Sequence, residues 1–94
     1  MKLLLQNGTV IDPGHYYQKA DILLVNDIID KIEPNIMDEE AEIVNVDGLI
    51  ITPGLIDIHV NGIGGFDLNG FETTKETVLN VVKELHKVGV TQFC

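Results

Sequence analysis

The stretch Ile51–Gly70, ITPGLIDIHVNGIGGFDLNG, starts as an apolar run and ends among glycines. Asp57, His59 and Asn61 stand two apart in it, alternating with Ile56, Ile58 and Val60. On an extended strand residues i, i+2 and i+4 share a face. The spacing therefore predicts a polar face carrying a carboxylate, an imidazole and an amide, opposite an apolar face. The short segment LIDIHV reads as a strand covered on both sides. After it, Gly62, Gly64, Gly65 and Gly70 either let the chain bend or bring backbone N–H groups close to an anionic ligand. They do not make the dinucleotide fingerprint, because Asp67 stands where a third glycine is needed and no helix starts there.

Downstream, Thr73-Thr74-Lys75-Glu76 predicts a capping box, with Thr73 reaching forward and Glu76 reaching back. Val78, Val81, Val82, Leu85 and Val88 then share one helical face, and Gly89 sits where a left-handed residue ends a helix. VTQFC opens another apolar strand. Strand, loop, helix, strand is a βαβ unit with parallel strands. Alone it would leave open strand edges, so residues 53–94 are expected to begin a longer α/β protein.

Upstream, residues 1–52 read as short strands and tight turns. Asn7-Gly8 lies between the apolar runs of KLLLQNGTVID, which predicts a hairpin because both residues tolerate positive φ. Asn26-Asp27 repeats the device between Ile22–Val25 and Ile28–Ile32, and Pro34 closes that unit. MDEEAE is a solvated connection, and EIVNVDGLIITPG adds short strands around Asp47-Gly48. The sum is expected to be a small antiparallel β module.

The chain has 94 residues, the size of one small domain, with 45% hydrophobic and 5% aromatic content and no Trp. The core must come from Ile, Leu and Val. Six basic against fifteen acidic residues give a net charge of −9. That charge repels phosphate backbones and anionic lipid, which argues against nucleic acid and membranes as partners. It allows attraction of cations, or simply a solvated acidic surface. The single cysteine, Cys94, cannot form an internal disulfide. No segment approaches the ~18 apolar residues of a membrane span, and the N-terminal apolar run is too short for a signal peptide. These features together predict a cytoplasmic protein.

At the end of the first strand, His59 and the amide oxygen of Asn61 could meet a divalent metal, with Asp57 behind them fixing the imidazole or anchoring the loop backbone. The alternatives are a hydrogen-bonded histidine, an Asn61-Gly62 turn, and an Asp57 that satisfies loop N–H groups. His15, in DPGHYYQKA, and His86, in the last helical turn, read as solvated. There a protonated His86 complements the helix dipole.

Pro53, Gly54, Asp57 and His59 in TPGLIDIHVNGIGG resemble the first barrel strand of the amidohydrolase superfamily, P-G-hydrophobic-hydrophobic-D-x-H-x-H, with Asn61 in place of the second His. The resemblance covers essentially the whole chain. It implies an α/β fold: half of a small N-terminal β-sandwich over residues 1–52, followed by the first β-α-β of a metal-dependent (β/α)8 barrel over residues 53–94. Within the superfamily, Asn61-Gly62, Gly65-Phe66-Asp67 and VGVTQFC are most similar to the N-acetylglucosamine-6-phosphate deacetylase group. That likeness implies a zinc-type divalent metal held in part by His59 and Asn61, Asp57 as a supporting residue, and Gly64 and Gly65 near the substrate. It further implies an amino-sugar phosphate substrate, a homodimer completed by the rest of the barrel, and a catalytic Asp and further ligands on later strands. This segment alone is then expected to be inactive. A cyclic-amide hydrolase of the dihydroorotase or dihydropyrimidinase kind is the alternative enzyme. A stand-alone, non-catalytic β module is the alternative outside enzymes.

Overall fold

The computed structural model describes the backbone throughout and every side chain except those of residues 15–18. His15 as a solvated side chain therefore lies outside the described residues. The chain is mostly β with one helix, and it divides into two units, Met1–Pro53 and Gly54–Cys94. Among the described residues no helix is long and apolar enough to cross a membrane.

The first unit is a sheet of β1 (Lys2–Asp12), β2 (His15–Val25), β3 (Ile28–Glu33), β4 (Glu42–Asn45) and β5 (Ile50–Ile51). Its order is β3-β2-β1-β4, and β5 also pairs with β1. The expected hairpin at Asn7-Gly8 is not there. β1 runs straight through those residues, and the chain reverses at Pro13-Gly14, where Asp12 pairs with His15. Asn7 does take a left-handed φ of 66°, but it uses it in a β-bulge, where the pairing slips between Leu5 and Gly8. The Asn26-Asp27 turn stands as expected, with Asn26 at φ 53° and Val25 opposite Ile28. Nor is the module purely antiparallel, since β4 and β5 both run parallel to β1. The charged connection Glu33–Glu42 is long enough to carry the chain back to the start of β1, which an antiparallel turn would not do.

The continuous apolar runs arise because both faces of this sheet are used. Leu4, Leu23 and Ile36 form one buried cluster, and Val10, Ala20 and Ile22 form the other, with Leu5, Leu24 and Ile32 packed against it. Leu5 and Val10 are an odd number of residues apart, so on a regular strand they would face opposite sides. The bulge adds one residue and brings both to the same cluster. Its freed Asn7 N–H donates to Asp21 Oδ1 at 2.8 Å, and Asp21 Oδ2 accepts from Ile36 N–H at 2.9 Å. Asp21 is only 5% exposed.

The second unit contains β6 (Leu55–Asp57), β7 (Gly62–Ile63), β8 (Phe66–Asp67), α1 (Lys75–Lys87) and β9 (Val90–Phe93). β6 and β9 are parallel, with Leu55 beside Val90 and Asp57 beside Phe93, so the βαβ connection is present. The helix cap is one residue later than expected. Thr74, not Thr73, accepts from Thr77 N–H, and Thr77, not Glu76, reaches back to the cap. The Thr73 hydroxyl instead donates to Gly70 O at 2.8 Å, closing the loop ahead of the helix. Val81 and Leu85 are buried on the apolar face, whereas Val78 and Val88 are exposed. Gly89, at φ 82°, follows the last turn, in which His86 lies exposed.

Candidate functional site

The polar face expected along Asp57–Asn61 is not a strand face, because β6 stops at Asp57. The cause is local. Asp57 Oδ1 accepts the N–H of His59 at 3.0 Å, an Asx-type turn that interrupts the regular ladder before Val60 N–H bonds Cys94 O at 3.2 Å. Asp57 keeps a sheet bond through its carbonyl, which accepts Cys94 N–H at 3.0 Å. The expected cover on both faces is also missing in this unit: Leu55, Ile56 and Ile58 are exposed.

Gly54, just before β6, is fixed by a close approach. A Cβ there would overlap the Thr91 side chain on β9, whose own Cβ lies 2.8 Å away. The glycine-rich segment is not featureless either. Gly64 and Gly65, at φ 62° and 84°, form the two-residue turn of the β7–β8 hairpin, a conformation of type I′ that glycine adopts without strain. Nothing in that turn requires a ligand to explain the glycines. The hairpin borders an open depression of about 440 Å³ lined by Asn61, Gly62, Ile63, Gly65, Phe66 and Asp67.

His59 and Asn61 do come together: Asn61 Nδ2 lies 3.3 Å from His59 Nε2. Asn61 Oδ1 points the other way and accepts from Asn69 Nδ2 at 3.0 Å. Asn69 is held in turn by its N–H to Asp67 Oδ1 at 2.8 Å. Sequence reasoning missed Asn69, although Asp67-x-Asn69 has the spacing of an Asx turn, the same pattern as Asp57-x-His59. Two donors on a tetrahedral zinc, each about 2.0–2.1 Å from the ion, lie about 3.3 Å apart. The separation thus suits a shared ion, but the orientation does not, because an amide NH2 has no lone pair to offer. Among the described residues no three His, Cys, Asp or Glu side chains gather as a metal site. The residues present therefore do not fit a metal by themselves, with the Asn61 NH2 and not its oxygen turned to His59.

No family model matches the chain. Over 93 residues, 98% of its length, it is 42% identical to the dihydroorotase of Lactococcus lactis subsp. lactis (strain IL1403), of which it covers 21%. The crystal structure of dihydropyrimidinase from Brevibacillus agri NCHU1002 superposes with a TM-score of 0.61 at 32% identity, over 66% of this chain and 13% of that one. The crystal structure of an amidohydrolase gives a TM-score of 0.59 at 34% identity, over 65% of this chain and 16% of that one. The chain spans about a fifth or less of the length of the curated relatives it matches. The superfamily resemblance stands on these likenesses. The N-acetylglucosamine-6-phosphate deacetylase reading does not: the similar proteins are named dihydroorotase and dihydropyrimidinase, the cyclic-amide hydrolases that stand as the alternative enzyme above. The amino-sugar phosphate and amino-sugar metabolism fall with it.

Proposed function

We infer that this chain, whose homologues and structural neighbours are amidohydrolases, is the N-terminal part of a cyclic-amide hydrolase of the dihydroorotase and dihydropyrimidinase kind. The observation that carries this reading is 42% identity to a dihydroorotase across nearly the whole chain, not at one motif alone. The structural neighbours support the same chemistry through a dihydropyrimidinase at 32% identity. In this reading the first unit is part of the small β domain. The parallel β6–α1–β9 segment begins the (β/α)8 barrel, whose catalytic groups characteristically sit on the loops after the strands.

The chain's own contribution to such a site is limited and specific. Asp57 binds the His59 backbone and sets where the imidazole leaves the sheet. The Gly64-Gly65 hairpin forms one wall of the depression beside Asn61, where a substrate ring would lie. His59 reaches that edge through Asn61, whose Nδ2 lies 3.3 Å from its Nε2. A divalent metal of the kind that serves this enzyme class would need most of its donors from residues outside this chain.

The test is an assay of the complete gene product against dihydroorotate, dihydrouracil and hydantoin, with N-acetylglucosamine 6-phosphate as the contrast. Ring opening of one cyclic amide is expected. Release of acetate from the amino-sugar phosphate, with all three rings left intact, would overturn the reading.

A further inference from the structure

Asparagine followed by glycine occurs three times in the chain, at Asn7-Gly8, Asn61-Gly62 and Asn69-Gly70. In such a pair the glycine backbone nitrogen can attack the asparagine side-chain carbonyl carbon, because no glycine side chain crowds the approach. The attack needs a linking peptide that is free to turn and an N–H that is open to water. The fold meets those needs very differently at the three positions.

At Asn7-Gly8 the backbone is held on both flanks. Gly8 is buried opposite Ala20, under the side chains of Ile51 and Val46. Asn7 N–H donates to Asp21, Val46 N–H bonds Gln6 O at 2.9 Å, and Thr9 N–H bonds Leu49 O at 3.0 Å. At Asn61-Gly62 the linking carbonyl accepts Leu68 N–H at 2.8 Å, and Gly62 packs against the Phe66 backbone across the hairpin. At Asn69-Gly70 both residues are exposed. Among the described residues neither the Asn69 carbonyl nor the Gly70 N–H has a hydrogen-bond partner. No other group comes closer than 3.7 Å to where a Gly70 Cβ would stand. Only exposed contacts with Asn61, at 3.0 Å to its side chain and 3.5 Å to its carbonyl, restrain the Asn69 side chain.

We propose that Asn69 is a site of spontaneous deamidation by water, with Asn61 a slower second site and Asn7 protected by the sheet. The Gly70 nitrogen gives up its proton and bonds to Asn69 Cγ, the Cγ–Nδ2 bond breaks, and ammonia leaves with that proton. Water then opens the resulting cyclic imide at either carbonyl. The products are aspartate or, with the main chain rerouted through Cγ, isoaspartate. The balance is one water in and one ammonia out, with no oxidant or cofactor. The carbon attacked is the same whichever way the amide is turned. The reaction places a new carboxylate beside Asn61 and Asp67, which line the depression. Isoaspartate also lengthens the loop that Thr73 closes onto Gly70. The inference does not depend on the cyclic-amide reading.

The experiment stores the complete gene product in mildly alkaline buffer and follows each asparagine by peptide mass spectrometry. Deamidation reads as the exchange of NH2 for OH, and fragmentation places it and separates isoaspartate from aspartate. Cleavage after acidic residues parts Asn61 from Asn69 at Asp67. Asn69 is expected to react first, with Asn61 roughly tenfold behind, the factor set by opening one backbone hydrogen bond, and Asn7 slower still. In urea the three rates should converge, since the dipeptide is the same at each. Gly70→Ala, which the open space admits, should suppress the reaction at Asn69 and leave that at Asn61 unchanged. An Asn69 that stays intact, or reacts no faster than Asn7 or Asn61, would overturn the proposal, as would a ranking that persists in urea.

Discussion

Replacing Asp21 tests the account of how the first unit is held together. Its carboxylate joins two points that the sheet leaves open, the bulge N–H of Asn7 at 2.8 Å and the N–H of Ile36 at 2.9 Å. Ile36 arrives there through the left-handed Asn35, at φ 57°, and packs with Leu4 and Leu23. Asp21→Ala removes both acceptors and leaves two backbone donors without partners, each costing about 1–3 kcal/mol. Losing the buried charge offsets part of that, so a net loss of about 3 kcal/mol is expected. Asp21→Asn keeps one acceptor oxygen but turns an NH2 toward one of the donors, for about 2 kcal/mol.

The measurement is urea unfolding followed by far-ultraviolet circular dichroism. With a slope of about 1.5 kcal/mol per molar, typical of a small protein, Asp21→Ala should lower the midpoint by about 2 M and Asp21→Asn by somewhat less. Hydrogen exchange gives a local check, because the Asn7 and Ile36 amides should lose protection in Asp21→Ala while those of α1 keep theirs. If both variants stay within about 0.5 kcal/mol of wild type, the range of ordinary surface changes, the carboxylate does not hold the bulge and the reasoning fails.

Other substitutions separate the observed geometry from what sequence alone suggests. Thr74→Ala should cost about 1 kcal/mol by removing the N-cap, and Thr73→Ala distinctly less, as read by thermal unfolding; the reverse ranking would restore the earlier cap. Gly54→Ala should cost about 1–3 kcal/mol by overpacking against Thr91, and Thr91→Ser should not rescue it, because the Thr91 Cβ already stands 2.8 Å from the added atom. Gly65→Ala should destabilise the β7–β8 hairpin by about 1 kcal/mol while Gly65→Asn is nearly neutral, since asparagine tolerates the left-handed turn. The Lys2 ammonium, 3.0 Å from Asp38, holds that carboxyl below its usual range, while Asp38 and then Glu40 raise Lys2 above its own. The Asp38 contribution is present above the ordinary carboxylate range and is lost as pH falls through its lowered pKa. The Lys2 contribution is present below the ordinary lysine range and is lost as pH rises through its raised pKa. Lys2→Met should flatten both limbs of the unfolding midpoint against pH, and unchanged limbs would remove the pair as their cause.

What could be read from the sequence was whatever depends on near neighbours. The valine and leucine spacing located α1, and Asn26-Asp27 located a turn, because both patterns act within a few residues. Asn7-Gly8 misled because a hairpin turn and a bulge make the same local demand, a residue that tolerates positive φ. Only the pairing of β1 with β2 over its whole length tells them apart. The parallel pairing of β4 and β5 with β1 joins residues some forty positions apart, and nothing in EIVN or II specifies the partner. The end of β6 at Asp57 was hidden for a different reason: period-two alternation continues through His59 and Asn61, but one side-chain bond to the backbone breaks the strand.

The same distinction explains why the superfamily was legible while the substrate class was misread. In P-G-x-x-D-x-H, Gly54 makes room for Thr91, and Asp57 captures the His59 N–H where the strand ends. Both jobs belong to the scaffold. Any relative with this β6–β9 contact and this turn has to meet the same demands, whatever ring or amide it opens, so these residues track the fold and not the substrate. Asn61 carried the finer assignment, and its residue type is compatible with opposite roles. Its oxygen accepts from Asn69, eight residues on, and its NH2 faces His59, a pattern of contacts that residue identity at position 61 does not encode. What Asn61 touches is therefore legible only together with its partners.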